Sequence, residues 1–135
     1  MKLLVDTNII LEIILEQAKA DEVRSLLAKS EEYDFFLSDY ALHSIGLLLF
    51  RKKQHHIFRE FLYDMLIRAG VKVVTLSVED LDLVVEIAQK FGLDFDDAYQ
   101  YTIAEKYNLT IVSFDADFDR TERGRKTPWE VLQKS

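Results

Sequence analysis

Aspartate residues occur at three places in this chain where an apolar segment ends or a helix is predicted to begin. Asp6 directly follows one apolar segment, Asp115 and Asp117 follow another, and Asp97 falls in the first turn of a predicted helix. Carboxylate oxygens are the ligands that hard cations such as Mg²⁺ and Mn²⁺ prefer. These aspartates are therefore candidate ligands of a divalent cation, although each alone is also a common helix-capping or turn residue.

The elements that must position these side chains alternate along the chain. Four short segments rich in apolar and β-branched residues predict strands at 2–5, 34–38, 71–76 and 109–114. Segments with a helical spacing of apolar residues lie between them. This alternation predicts an α/β fold in which residues 1–135 form a single domain. We expect a mostly parallel central sheet of 4–5 strands with helices on both faces.

A parallel sheet would bring the separate aspartates together. The carboxyl ends of parallel strands lie at one edge of a sheet, and ligands bind there. The predicted helix over 95–107 runs antiparallel to the strand that follows it, so Asp97 would lie at the same edge as Asp6 and Asp115. Close carboxylates repel one another, and a bound cation removes this repulsion while acidifying a bound water. The sequence therefore predicts a metal centre at this edge.

The composition favours a soluble protein of the cytoplasm that does not associate with membranes. The chain has no cysteine, which excludes disulfides, a thiolate nucleophile and a cysteine-type zinc site. Its apolar runs are too short to span a membrane, and its first residues lack the basic, then apolar pattern of a secretory signal.

A basic group follows the last acidic positions. Its members are Arg120, Arg123, Arg125 and Lys126. The net charge of −7 argues against broad, non-specific attraction to nucleic acid, but the charge is unevenly distributed. This basic group could hold a nucleic-acid backbone beside Asp115, and its alternative is an ordinary solvated face.

Two segments of the chain resemble PIN-domain proteins. They are LVDTNIIL over 4–11 and DFDDAYQYTIAEKYNLTIVSFDADFDR over 94–120. PIN domains of this size are typically metal-dependent ribonucleases, and many are VapC-type toxins of toxin–antitoxin pairs. The resemblance covers the whole chain and implies a PIN-like fold, Mg²⁺ or Mn²⁺ as cofactor and hydrolysis of RNA phosphodiester bonds. It also implies a homodimer and, for a toxin, an antitoxin partner.

The resemblance assigns roles to individual residues. The family's acidic metal-site positions match Asp6, Asp97 and Asp115. An additional acidic position, often present in the family, matches Asp117. Asn8 matches the residue that helps to fix the first aspartate. Ser113 stands where the family usually has a serine or threonine hydroxyl near the site.

One carboxylate that the resemblance implies is missing. The family usually places a glutamate in the helix after the second strand, and counting from Ser38 this position is Ser44. The neighbouring His43 could bind Mn²⁺ but suits Mg²⁺ badly, and Asp39 could support it from the same helical face. Alternatively, His43 is an ordinary helix histidine. The missing glutamate has three possible consequences: weaker metal binding, an altered metal preference or loss of catalysis.

Three functions are open at this stage. The first is an active metal-dependent endoribonuclease, and the second is a PIN-fold module that holds RNA or a protein without cutting, which the missing glutamate motivates. The third is phosphotransfer through Asp6, as in haloacid-dehalogenase-like phosphatases. Those enzymes need a second aspartate two residues later, where this chain has Asn8, so the sequence disfavours the third.

Overall fold

The central sheet contains four short strands, all parallel, as the alternation of elements predicts. In the computed structural model, which describes residues 1–133, they are Lys2–Val5 (β1), Asp34–Ser38 (β2), Lys72–Val74 (β3) and Thr110–Val112 (β4). Their order is β3-β2-β1-β4. β1 and β2 have the predicted bounds, whereas β3 and β4 are shorter than predicted because only their central residues pair with a neighbouring strand.

Helices connect the strands and cover the sheet. They are Thr7–Ile14 (α1), Ala20–Leu27 (α2), Asp39–Arg51 (α3), His55–Phe61 (α4), Leu81–Phe91 (α5), Phe95–Tyr107 (α6) and Pro128–Gln133 (α7). α4 continues as a π-helical segment over Leu62–Arg68, where the sequence predicts one helix closing at Gly70. Gly70 has a φ of +68°, the left-handed geometry expected of a glycine that ends a helix. None of the helices in the described part of the chain is long and apolar enough to cross a membrane.

Side chains of β1 alternate between two hydrophobic cores. Leu3 and Val5 pack with residues of α1, α2, α3, α4 and α7, while Leu4 packs on the opposite face with residues of α5 and α6. All three side chains are at most 1% exposed. A strand that is apolar on both faces is what a parallel sheet covered by helices requires, so helices on both faces are confirmed.

Polar side chains begin the helices at the carboxyl edge of the sheet. Asp6 caps α1 directly after β1, and Ser38 caps α3 directly after β2 by accepting a hydrogen bond from the Ala41 amide at 2.9 Å. Asp94 caps α6, as predicted. The chain passes from β1 through β2 to β3 on one side, and β4 lies on the other side of β1. This reversal of direction creates a crevice at the ends of β1 and β4.

Candidate metal centre

Three carboxylates meet in the crevice at the ends of β1 and β4. Asp97, Asp115 and Asp117 each present one oxygen, and these oxygens lie within 4.8 Å of one another. Asp97 is placed by the first turn of α6, where its amide donates to Asp94 Oδ1 at 3.1 Å. Asp115 follows β4 and holds Asp117 by accepting a hydrogen bond from the Asp117 amide at 2.8 Å. Local capping geometry at two separate elements therefore builds the cluster.

Asp6 is buried beside this cluster and held by three donors. Its side chain is only 7% exposed. Oδ1 accepts hydrogen bonds from the Thr7 amide at 2.7 Å and from Gln100 Nε2 at 2.5 Å, and Oδ2 accepts one from Ser113 Oγ at 2.7 Å. A carboxylate has about four lone-pair positions, so Oδ2 retains one that is free to bind a cation.

The direction of the proton on Ser113 follows from its other partners. Ser113 Oγ accepts hydrogen bonds from the Asp115 amide at 2.9 Å and from Asn8 Nδ2 at 3.3 Å. The orientation of the Asn8 amide is set because its Oδ1 accepts from the Phe114 amide. The single hydroxyl proton of Ser113 must therefore point to Asp6. Both oxygens of Asp6 are acceptors, so this network is matched to the ionised carboxylate.

The pKa values of Asp6 and Asp97 are raised by burial and by the charges of neighbouring aspartates. Burial raises the pKa of Asp6 most, hydrogen bonds from Ser113 and Thr7 counteract it, and the charge of Asp115 raises it further. The pKa of Asp97 is raised to about 8, first by burial and then by the charges of Asp115, Asp94 and Asp6. A cation between these groups would favour their ionised forms.

The donor set fits a hard divalent cation. The ligand atoms available are carboxylate oxygens from the three residues of the cluster; Asp6 is not one of the three, although its charge raises the pKa of Asp97. Mg²⁺ and Mn²⁺ prefer such oxygen donors. The N-termini of α1 and α6 also point to this region, and their dipoles favour anionic side chains there.

The positions around the missing glutamate differ in burial. Ser44 is half-buried on α3 near Tyr40, whose pKa is raised first by burial and then by Asp96, while Ser44 lowers it. His43 is exposed and lines an apolar groove with Phe50 and Phe58. It is not among the residues that form the acidic cluster within 1–133.

Asp39 does not support His43 as the helical spacing suggested. Its carboxylate accepts hydrogen bonds from Thr75 Oγ1 at 2.8 Å and from the Tyr99 hydroxyl at 2.9 Å. These contacts tie α3 to the segment after β3 and to α6. Helical spacing alone could not reveal them, because both partners are distant in sequence.

The basic group is largely occupied by contacts within the protein. Arg120 lies at the acidic cluster, with its Nη2 3.1 Å from Asp117 Oδ1. Arg123 lies at the other end of α6, where it contacts Glu105, Asn108 and the Leu109 carbonyl. Its expected place beside Asp115 is therefore wrong.

The last two members of the basic group pack along β4. Arg125 pairs with Asp119 at 3.1 Å and donates to the Ser113 carbonyl at 3.2 Å. The backbone of Lys126 bonds to Ile111 and Ser113, forming a parallel bridge at the edge of the sheet. Arg125 thus supports the segment that carries Ser113.

Gln100 is a residue of this site that the sequence reasoning missed. It lies one turn after Asp97 in α6 and donates to Asp6, with only 2% of its side chain exposed. The available signal was a polar residue three positions after Asp97, within a stretch of α6 whose other residues are mostly apolar or aromatic.

Comparisons with known proteins agree with this architecture. VapBC2 from Rickettsia felis bound to a promoter DNA fragment matches with 19% identity and a TM-score of 0.75, covering 93% of this chain and 97% of that chain. FitAcB from Neisseria gonorrhoeae matches with 21% identity and a TM-score of 0.71, covering 94% and 98%. VapC20 from Mycobacterium tuberculosis, described as a sarcin-ricin loop cleaving toxin, matches with 20% identity and a TM-score of 0.71, covering 87% and 92%.

The sequence comparison covers nearly the same part of the chain. No curated protein gives a significant sequence match. The family model described as PIN domain matches residues 3–124, a range that includes β1 to β4 and the four aspartates of the crevice. The chain therefore belongs to the PIN-domain family.

Proposed function

We propose that this protein is a metal-dependent endoribonuclease. The observation that carries the proposal is the cluster of Asp97, Asp115 and Asp117 oxygens within 4.8 Å of one another, beside an Asp6 whose two oxygens both accept hydrogen bonds. Membership of the PIN-domain family supports it. The likeness to a sarcin-ricin loop cleaving toxin suggests RNA as the substrate.

Each residue has a distinct role in this proposal. Asp97, Asp115 and Asp117 hold Mg²⁺ or Mn²⁺, with Oδ2 of Asp6 as a further ligand. When bound, the cation would supply an acidified water and stabilise charge on the phosphate. Asn8 and Ser113 keep Asp6 oriented.

Arg120 is the basic residue positioned to meet the RNA backbone. It pairs with Asp117 and its side chain is 50% exposed. A cation on Asp117 would compete with this ion pair, which leaves the guanidinium available to a phosphate oxygen. Arg123 and Arg125 instead hold the fold together.

Cleavage of a circular RNA tests the proposal, because a circle can be cut only by an endonuclease. We expect cleavage with Mg²⁺ or Mn²⁺ and none with EDTA. Asp97→Asn and Asp115→Asn should each lower the rate by roughly 100-fold or more, since each removes a ligand of the cation. Asp82→Asn is the matched control, because Asp82 is exposed in the first turn of α5. Cleavage that survives both site substitutions would refute the proposal.

A second candidate function is binding of RNA or a protein without cleavage. Ser44 motivates it, because the expected carboxylate on α3 is absent from this position. RNA binding with no cleavage in either metal would favour this function. Ser44→Glu should then create or increase cleavage if the missing carboxylate is what limits the reaction.

We further propose that the protein forms a homodimer through the apolar surface of α3. Leu47 and Phe50 are 44% and 53% exposed, and they line the groove that contains His43 and Phe58. Leu47→Asp should produce a monomer in light scattering at micromolar concentration. Leu83→Asp is the control, because Leu83 is similarly exposed, at 43%, but lies on α5. A dimer that persists in Leu47→Asp would exclude this interface.

An antitoxin is the proposed protein partner, suggested by the likeness of this chain to a structure described as a toxin–antitoxin complex, from Klebsiella pneumoniae. A groove of about 280 Å³ between α1 and α4 is lined by Ile13 and Ile57 and bordered by Glu60 and Asp64. An amphipathic segment with basic residues would complement it. An antitoxin that inhibits cleavage should bind more weakly to Glu60→Lys; unchanged inhibition would place its contact elsewhere.

A further inference from the structure

Gln100 connects α6 to the aspartate that follows β1. Its Nε2 donates to Asp6 Oδ1 at 2.5 Å, a contact between residues 94 positions apart. The side chain is 2% exposed, so water does not screen this interaction. A charged acceptor in a buried place makes such a hydrogen bond stronger than one between neutral groups.

The two ends of the Gln100 amide cannot be exchanged. Asp6 Oδ1 accepts a hydrogen bond from the Thr7 amide, and Oδ2 accepts the only proton of Ser113. In its ionised form, which a bound cation would favour, Asp6 has no proton to donate. Turning the amide over would set Oε1 against a carboxylate oxygen, and the two would repel each other. Oε1 must face away from Asp6.

This orientation leaves a buried acceptor to be satisfied. Within the described residues, no protein group donates a hydrogen bond to Gln100 Oε1. Leaving a buried acceptor unbonded costs about 1–3 kcal/mol. Native proteins usually satisfy such groups with an ordered water when no protein donor is present.

We propose that Gln100 is a positioning residue of the metal centre, whose Nε2 fixes Asp6 while its Oε1 accepts a hydrogen bond from a buried water. The expected water on Oε1 does not depend on the proposed function. The effect of Gln100 on cation binding rests on the proposed function. Residues that orient metal ligands typically contribute 10- to 100-fold in metal affinity. Gln100 would do this from α6, the helix that also supplies Asp97.

A high-resolution crystal structure of the metal-free protein tests the first part. We expect a water oxygen about 2.5–3.0 Å from Oε1. A protein donor at that distance, or an Oε1 with no polar neighbour, would overturn the proposal. A crystal soaked in Mn²⁺ should keep this water. Direct coordination of Mn²⁺ by Oε1, at about 2.1 Å, would also overturn the positioning role, because Gln100 would then be a ligand.

Calorimetric titration of the full chain with Mn²⁺ tests the second part. Gln100→Leu removes both ends of the amide and should weaken Mn²⁺ binding by roughly 10-fold or more. Gln100→Met is a second variant in case the first folds poorly. Thr102→Val is the control, because Thr102 is also buried in α6 but bonds only to the Ala98 carbonyl of its own helix.

The outcomes separate this inference from the proposed function. Affinity in both Gln100 variants within two-fold of the unchanged protein would overturn the positioning role, although the chain could still be a metal-dependent nuclease. If the unchanged protein does not bind Mn²⁺, both the proposed function and the role of Gln100 in cation binding are refuted. The crystallographic test of the water on Oε1 would still decide the first part.

Discussion

Replacing Ser113 by alanine should be among the most damaging small changes that this chain can undergo. The Ser113 side chain is fully buried, and its hydroxyl makes three hydrogen bonds that join the ends of β1 and β4. It donates to Asp6 and accepts from Asn8 and the Asp115 amide. Ser113→Ala removes one oxygen atom and all three bonds together.

The structure allows the cost to be worked out against a matched serine. A hydrogen bond to a charged group contributes about 1.5–3 kcal/mol, and an amide left without its acceptor adds about 1 kcal/mol. The expected loss for Ser113→Ala is therefore about 2–4 kcal/mol. Ser38 is also fully buried at the end of a parallel strand, but only the Ala41 amide donates to its hydroxyl. Loss of that cap should cost about 1 kcal/mol.

Urea unfolding followed by circular dichroism, in EDTA at pH 7, measures both costs. The comparison of the two variants cancels the shared effect of removing a buried hydroxyl. We expect Ser113→Ala to lose about 1–3 kcal/mol more free energy of unfolding than Ser38→Ala. Equal losses would refute the assignment of the Ser113 proton to Asp6.

Three further predictions concern the pH response, a turn and the basic group. Because the pKa of Asp97 is about 8 in the folded protein but near its ordinary 3.8 when unfolded, the free energy of unfolding should fall as pH rises between these values. Thermal melts should show this slope, and Asp97→Asn should flatten it; a slope unchanged by the substitution would assign it to other groups. Gly92→Ala should cost about 1 kcal/mol in urea unfolding, because Gly92 ends α5 at a φ of +65°, and no loss would mean that the turn relaxes. Arg123→Ala should lower stability and leave RNA affinity unchanged, whereas Arg120→Ala should lower RNA affinity in a filter-binding assay; the reverse pattern would restore Arg123 to the RNA surface.

The elements of the fold were predictable because their signals are local. The β1 and β2 segments are short apolar runs that end at a capping residue, and both have the predicted bounds. The helix over 95–107 also has its predicted bounds, since Asp94 caps one end and Asn108 closes the other in the left-handed conformation. The approach of Asp97 to Asp115 was expected from the parallel direction of the strands and the antiparallel direction of α6, whereas Asp6 lies beside their cluster and not within it.

The partners of the long polar side chains were not predictable in the same way. Arg123 reaches the Leu109 carbonyl, and Asp39 binds Tyr99, because tertiary packing brings these groups within hydrogen-bond distance. Hydrophobic periodicity specifies which face of a helix is buried but not which donor lies opposite a given acceptor. Gln100 was overlooked for this reason, since its role depends on Asp6, 94 positions away.

The position of β1 at the centre of the sheet has a consequence for biosynthesis. The first strand pairs with β4 on one side, and its aspartate receives the Ser113 proton across 107 positions of sequence. A ribosome must therefore synthesise the chain past residue 117 before the four aspartates can gather. Until residue 100 has been made, the Asp6 side chain lacks two of its three donors, and a chain that ends before β4 cannot assemble the acidic cluster. Translation therefore delays assembly of the cluster until β4 and the residues after it have been made.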